Sequence, residues 1–148
     1  MQARDAPDVA PLLQALCKED IVLRNLFEEQ LYVKVSRNRF EIARVTGDPS
    51  AEIVSSPEPF STARLLVGEF SRAEHELRKG IRKVLPKTFI KRSAAVLIHP
   101  LEMTENGLCQ VEVKILRELA LGAGAYKVEV WEGEELTPSQ VVEKLKNA

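Results

Sequence analysis

Several carboxylates facing one another could hold two metal ions for nuclease or phosphoryl chemistry. The aspartates are Asp5, Asp8, Asp20 and Asp48, and all fall in an N-terminal segment or a turn. Glu41 and Glu52 stand in strand-forming stretches, but each alternates with apolar neighbours and is expected to face outward. Nuclease chemistry is therefore not expected. His75 and His99 have no Cys or His at ligand spacing, so both read as surface or packing residues. Cys17 and Cys109 lack metal spacing and a disulfide framework. Each lies in a helical segment and is expected to be a buried small residue. No metal and no cofactor are expected. Trp131 closes an apolar stretch and is either core or an exposed interface anchor.

The densest charge is the run Arg78, Lys79, Arg82, Lys83, Lys87, Lys91 and Arg92, with no acid among them. Such a run could meet nucleic acid, lipid headgroups or an acidic protein. Only Phe89 interleaves for base stacking, so nucleic acid is not the expected partner. The expected reading is a solvated helix end whose cations oppose the negative end of the helix dipole.

The chain that must position these residues has 148 residues, 45% hydrophobic and 29% charged, with a net charge of −1. That is the length of one domain, able to bury roughly 70% of its unfolded surface. Near-neutral charge gives no global pull toward nucleic acid or anionic membrane. No apolar run reaches the roughly 18 residues of a membrane span, and the N-terminus lacks the pattern of a signal peptide. A cytoplasmic location is expected, with both thiols reduced.

Periodicity supplies the elements. Residues 8–29 predict an N-terminal helical segment with two apolar stripes, Val9, Leu12, Leu13 and Leu16, then Ile21, Val22, Leu26 and Phe27. Leu31, Val33 and Val35 alternate with Tyr32 and Lys34, and Phe40 and Ile42 continue after Arg37-Asn38-Arg39, which predicts a hairpin. Gly47-Asp48-Pro49-Ser50 is a turn signal, and Ala51 to Ser55 reads as a third strand ended by prolines. Arg64 to Phe70 is a short extended or bent piece. Ser71 and Glu74 have capping-box spacing, so a helix is expected after Ser71 with Ala73, Leu77, Ile81 and Val84 inward and Pro86 as its stop. Ala94 to Ile98 is an apolar run suited to a buried central strand. A second helix is expected from about Glu105 to Leu121, with Leu108, Val111, Ile115 and Leu119 inward and Gly122 or Gly124 at its C-cap. Tyr126 to Trp131 is the fifth strand. Thr137, Pro138 and Gln140 start a last helix over 137–147. The order is helical segment, then β-β-β-α-β-α-β-α. It predicts one α/β domain with a mixed five-stranded sheet on the ribonuclease H-like plan, shared by actin-type ATPase subdomains.

Two stretches carry a family resemblance. Gln110-Val111-Glu112, followed by Arg117 to Ala125 (RELALGAGA) and an apolar strand ending at Glu132, resembles the bacterial actin homologue MreB. There a helix bearing Gln-Val-Glu feeds the last strand of the first subdomain. Val67-Gly68-Glu69-Phe70, then Glu74, Leu77-Arg78 and Ile81 to Val84, is similar to the MreB bend and helix before its central strand. The similarity covers residues 31–132. It implies that Glu112 stands where the family has the glutamate that positions the attacking water. It also implies that the family's Asp-x-Gly-Thr phosphate motif falls on Val33 to Asn38. Here Lys34 stands near the metal-organising aspartate's place, and Ser36 and Arg37 replace residues that let the backbone reach phosphate. The second large subdomain of that family, which completes the nucleotide pocket, has no counterpart in these residues. The resemblance therefore implies a non-catalytic protein-interaction module in bacterial cell-shape or envelope assembly, with Glu112 a relic. Leu12, Leu16, Leu26 and Phe27 offer the interaction surface. The partner is a full-length actin homologue, a membrane complex or a second copy. The competing expectation is an actin-like ATPase or filament protein that retains weak nucleotide binding.

Overall fold

A computed structural model describes residues 28–47, 51–85 and 93–148. Its strands are β1 (Glu28–Ser36), β2 (Arg39–Arg44), β3 (Ala51–Ser55), β4 (Ser93–Pro100) and β5 (Ala125–Val130). Its helices are α1 (Phe70–Val84), α2 (Gln110–Gly122) and α3 (Pro138–Lys146). The protein is α/β, and the strands form one mixed sheet in the order β3-β2-β1-β4-β5. The β1–β2 and β2–β3 pairs are antiparallel, whereas β1–β4 and β4–β5 are parallel.

Alternation along β1 makes a core on each face of the sheet. Leu31, Val33 and Val35 join Phe40, Ile42, Leu77, Ile81, Ile98 and Leu119 beneath α1 and α2. Tyr32 points the other way and joins Ala95, Leu97, Val141 and Leu145 beneath α3. Because β4 is covered on both faces, its stretch Ala94 to Ile98 is continuously apolar, as suits a buried parallel strand. Residues 94–100 are all buried.

Several boundaries differ from expectation for identifiable reasons. The forecast of helix over 8–29 fails at its end, since Glu28 and Glu29 already belong to β1; the rest, including Leu12, Leu16, Leu26 and Phe27, lies outside the described residues. Helix α1 starts at Phe70, so Ser71 is inside it and makes no cap. The carbonyl of Phe60 accepts from both Gly68 and Glu69 N–H groups, and that anchorage brings the chain into helix earlier. At the other end Leu85 is extended, as a residue before proline must be. Helix α2 starts at Gln110, not near Glu105, because Asn106 and Gly107 adopt positive φ (68° and 83°) and break any helical path. Its buried face is Leu116, Leu119 and Ala120. Val111, expected inward, is 64% exposed. Gly124 takes φ +117° just past this helix, where only glycine is comfortable.

Strand β3 is inverted relative to expectation. Glu52 pairs across from Ile42 and Val54 from Phe40, so Glu52 lies on the α1 face, where Lys83 meets it at 3.5 Å. Ile53 takes the other face and is 55% exposed. Glu41 does face away from the larger core, toward Lys34 at 3.9 Å. Helix α3 follows its local signals: Thr137 accepts from the Gln140 N–H, and the Gln140 side chain accepts from the Thr137 N–H at 2.8 Å. Among the described residues no helix is long and apolar enough to cross a membrane.

Candidate functional site

The parallel strands β1 and β4 end side by side, Val35 opposite Pro100. At that end meet the β1–β2 turn, the loop after β4 and the N-terminus of α2. This is where the phosphate-binding turn and Glu112 implied by the resemblance would have to cooperate.

The turn is closed by the protein itself. Asn38 adopts φ 57°, a left-handed conformation that asparagine tolerates better than most residues. Its side-chain oxygen accepts from the N–H groups of Phe60 (2.9 Å) and Ser61 (2.8 Å). Its own N–H donates to Ser61 Oγ at 3.0 Å, and its carbonyl accepts from Ser56 N–H at 2.9 Å. The N–H of Arg37 donates to the Glu102 carboxylate. Turn donors that would reach a phosphate are thus engaged, and an internal carboxylate already occupies one of them.

Glu102 belongs to a loop, residues 101–109, in which Met103, Asn106 and Gly107 all have positive φ. A shallow apolar cleft opens beside it, lined by Leu65, Leu66, Val67, Pro100, Met103, Leu108, Ile115 and Leu116, with Glu102 and Glu112 in its walls. Glu112 is in the first turn of α2 and accepts from the Cys109 N–H at 2.9 Å. A carboxylate there satisfies an orphan donor and faces the positive helix end. Cys109 is the N-cap and exposed, not buried, because it precedes the helix instead of riding on its inner face. Glu132 closes the group by accepting from Leu108 N–H at 3.2 Å. Among the described residues no set of three or more His, Cys, Asp and Glu could hold a metal ion.

Lys34, near the aspartate's place in the family motif, projects to the α3 face, away from the cleft. Its ammonium meets Glu135 at 3.0 Å and lies 5.2 Å from the Tyr32 ring centroid. Burial pulls its pKa down, but the carboxylates of Glu135 and Glu41 outweigh that, and the pKa stands above the ordinary lysine value. Ser36 is half-buried and Arg37 exposed.

The basic run is divided by its neighbours. Arg78 pairs with Glu74 at 3.0 Å and donates to the Gly122 carbonyl; Lys79 meets Glu76 at 3.6 Å, and Lys83 meets Glu52. Arg82 is exposed. Lys87, Lys91 and Arg92 lie outside the described residues, as does Cys17. Acids distant in sequence or one helical turn away therefore pair with three of the four described residues of a run that looks purely basic when read linearly.

His75 is exposed, but His99 is 1% exposed and has specific polar partners. Its Nδ1 lies 2.7 Å from the Tyr32 hydroxyl and its Nε2 lies 2.8 Å from the Gly133 carbonyl. Tyr32 in turn accepts from Leu136 N–H at 3.2 Å. Burial pushes the His99 pKa below its ordinary value, and Lys34 adds to this, against the opposing effects of the Gly133 hydrogen bond and Glu135. Burial also raises the Tyr32 pKa. The sequence signal for this network was a histidine embedded in the otherwise apolar β4. Trp131 is half-buried, donates to the Glu134 carbonyl at 2.8 Å, and carries Lys144 Nζ 4.1 Å above its ring. It thus packs beneath α3, against the smaller core.

No protein-family model matches the chain. It is 32% identical over 102 residues to the uncharacterized protein YjaA of Escherichia coli strain K12, an alignment covering 66% of this chain and 78% of that protein.

Proposed function

Starting from the family of Escherichia coli YjaA, to which this chain belongs, we propose a non-catalytic, actin-like subdomain related to MreB that acts as a protein-interaction module. Support for the ribonuclease H-like plan comes from the strand order β3-β2-β1-β4-β5, with an antiparallel first trio and a parallel last trio. Helices α1 and α2 cover one face and α3 the other. The same plan places the β1–β2 turn and the start of α2 at one end of the sheet.

One observation carries the non-catalytic reading. The turn that would cradle phosphate has its backbone donors taken by Glu102 and Ser61, and its asparagine is spent on Phe60 and Ser61. Phosphate recognition needs free N–H groups in close approach. A phosphate entering here would have to displace a carboxylate and would meet the negative charge of Glu102 and Glu112. Lys34, turned to the other face, would not compensate. What this end of the sheet offers instead is an apolar cleft, and Leu101 and Val111, next in the chain to its lining residues, are exposed, chemistry suited to a protein side chain. Its setting, as the resemblance implies, is bacterial cell-shape or envelope assembly, with an actin homologue or a second copy as partner.

Calorimetry with ATP and magnesium, beside a phosphate-release assay on wild type and Glu112→Ala, tests the reading. No magnesium-dependent binding and no turnover are expected. Micromolar magnesium-dependent binding, or turnover lost in Glu112→Ala, would replace the interaction module with an actin-like ATPase.

A further inference from the structure

Tyr32, His99 and the segment 133–136 form a buried polar network between the sheet and the approach to α3. The hydrogen positions follow from the partners. The Gly133 carbonyl can only accept, so His99 Nε2 carries a proton and donates to it. The Leu136 N–H can only donate, so the Tyr32 oxygen accepts from it, leaving the tyrosine hydrogen for His99 Nδ1. Each group is satisfied when the imidazole is neutral with its hydrogen on Nε2.

A second proton on His99 breaks this arrangement. Nδ1–H would then face the Tyr32 oxygen, which already accepts from Leu136. The tyrosine hydrogen would need a new acceptor in a buried place, and an imidazolium would sit in a site 1% exposed. The charged neighbours give little relief. From β1 comes Lys34, which opposes the cation, and from the 133–136 segment Glu135, which favours it. Those two are already paired at 3.0 Å. From β2, Glu41 is directed to Lys34. Strand β5 places Glu129 on the same sheet face, opposite Leu97. Lys144 of α3 lies over Trp131.

We propose that Tyr32, His99 and the Gly133–Leu136 segment are a proton-operated latch: neutral His99 holds the segment and α3 to the sheet, and protonation releases them. Among the described residues the core under α3 is the smaller of the two, built on Tyr32, Ala95, Leu97, Val141 and Leu145. Among them, the larger core under α1 and α2 shares no polar group with the latch, so the sheet is expected to remain when α3 lifts. Release would uncover Ala95 and Leu97. This inference does not depend on the interaction reading above.

The sign is that of a group whose pKa is depressed when latched. Above the pKa of a free histidine, about 6.5, both states are neutral and the latch is closed. As pH falls from there to the latched pKa, the open state binds the proton first, and opening rises by up to about tenfold per pH unit.

The chain contains its own reporter: Trp131 is the single tryptophan and packs beneath Lys144. Titrating the full chain by proton NMR, Trp131 fluorescence and far-UV circular dichroism should show Trp131 moving into solvent in step with His99, while the strand signal persists. His99→Gln should abolish the Trp131 transition. Tyr32→Phe, which removes the hydrogen bond favouring the neutral ring, should move the transition to higher pH and serves if His99→Gln does not fold. A Trp131 transition that survives in His99→Gln, or an unmoved midpoint in Tyr32→Phe, would overturn the latch. So would a His99 that stays neutral until the whole chain unfolds.

Discussion

Asn38 shows how much one side chain can decide. It sits at a left-handed φ, and its amide oxygen ties Phe60 and Ser61 to the first hairpin. Asn38→Ala forfeits the acceptor of two backbone N–H groups and puts at φ 57° a residue that tolerates the left-handed region less well than asparagine, so it should cost about 2–4 kcal/mol of stability in urea unfolding. Asn38→Asp keeps an acceptor and should lose clearly less. Equal losses would mean that a side-chain acceptor at this position does not hold the turn. The sequence marked Asn38 as a turn residue, which it is. Its second role could not be seen, because Phe60 and Ser61 lie 22 and 23 positions away. Glu112 has a similar history. Its place in α2 follows a local capping pattern, but its neighbour Glu102 and the cleft they share come from the meeting of two loops.

At the scale of elements, the helix-to-sheet approach of α1 is set by Gly80. A Cβ built there would lie 2.4 Å from Ile42 Cδ1 and 2.7 Å from Val54 Cγ2. Helix propensity alone would make Gly80→Ala stabilising by about 1 kcal/mol. Packing argues the reverse, since the fully buried Ile42 and the Val54 side chain would both have to shift. A net loss of about 1–3 kcal/mol is expected in urea unfolding, and a gain would show that α1 can slide outward. Of the expected stripe Ala73, Leu77, Ile81 and Val84, the first three are buried and Val84 is half-buried against the same core, because a long amphipathic pattern leaves little choice of face. Helix α2 lacked that clarity. Nearly every turn carries an apolar side chain, so several faces were compatible, and contact with β5 and α1 selected the one containing Leu116 and Leu119.

For the molecule as a whole, among the described residues the two cores are built from Leu31 onward and no buried side-chain polar atom lacks a partner. A chain beginning at Glu28 is expected to keep the urea transition of the intact protein. If residues 1–27 carry the docking surface through Leu12, Leu16, Leu26 and Phe27, the same truncation should abolish self-association in sedimentation; association that persists would move the interface to the sheet. The amino-acid sequence by itself determined the order of the elements, the third strand, the buried β4 and the capped start of α3. Each of these rests on side-chain period or on hydrogen bonds a few residues apart. Only the tertiary structure decided which way Glu52 and Ile53 turn, where α1 and α2 begin, and which acids meet the basic run. It also decided that the would-be phosphate turn is filled from within, and that Tyr32 joins His99 and, across 104 positions, Leu136. Local rules encode what a helix or strand presents to its neighbours; only the packed sheet determines which neighbour is there to meet it.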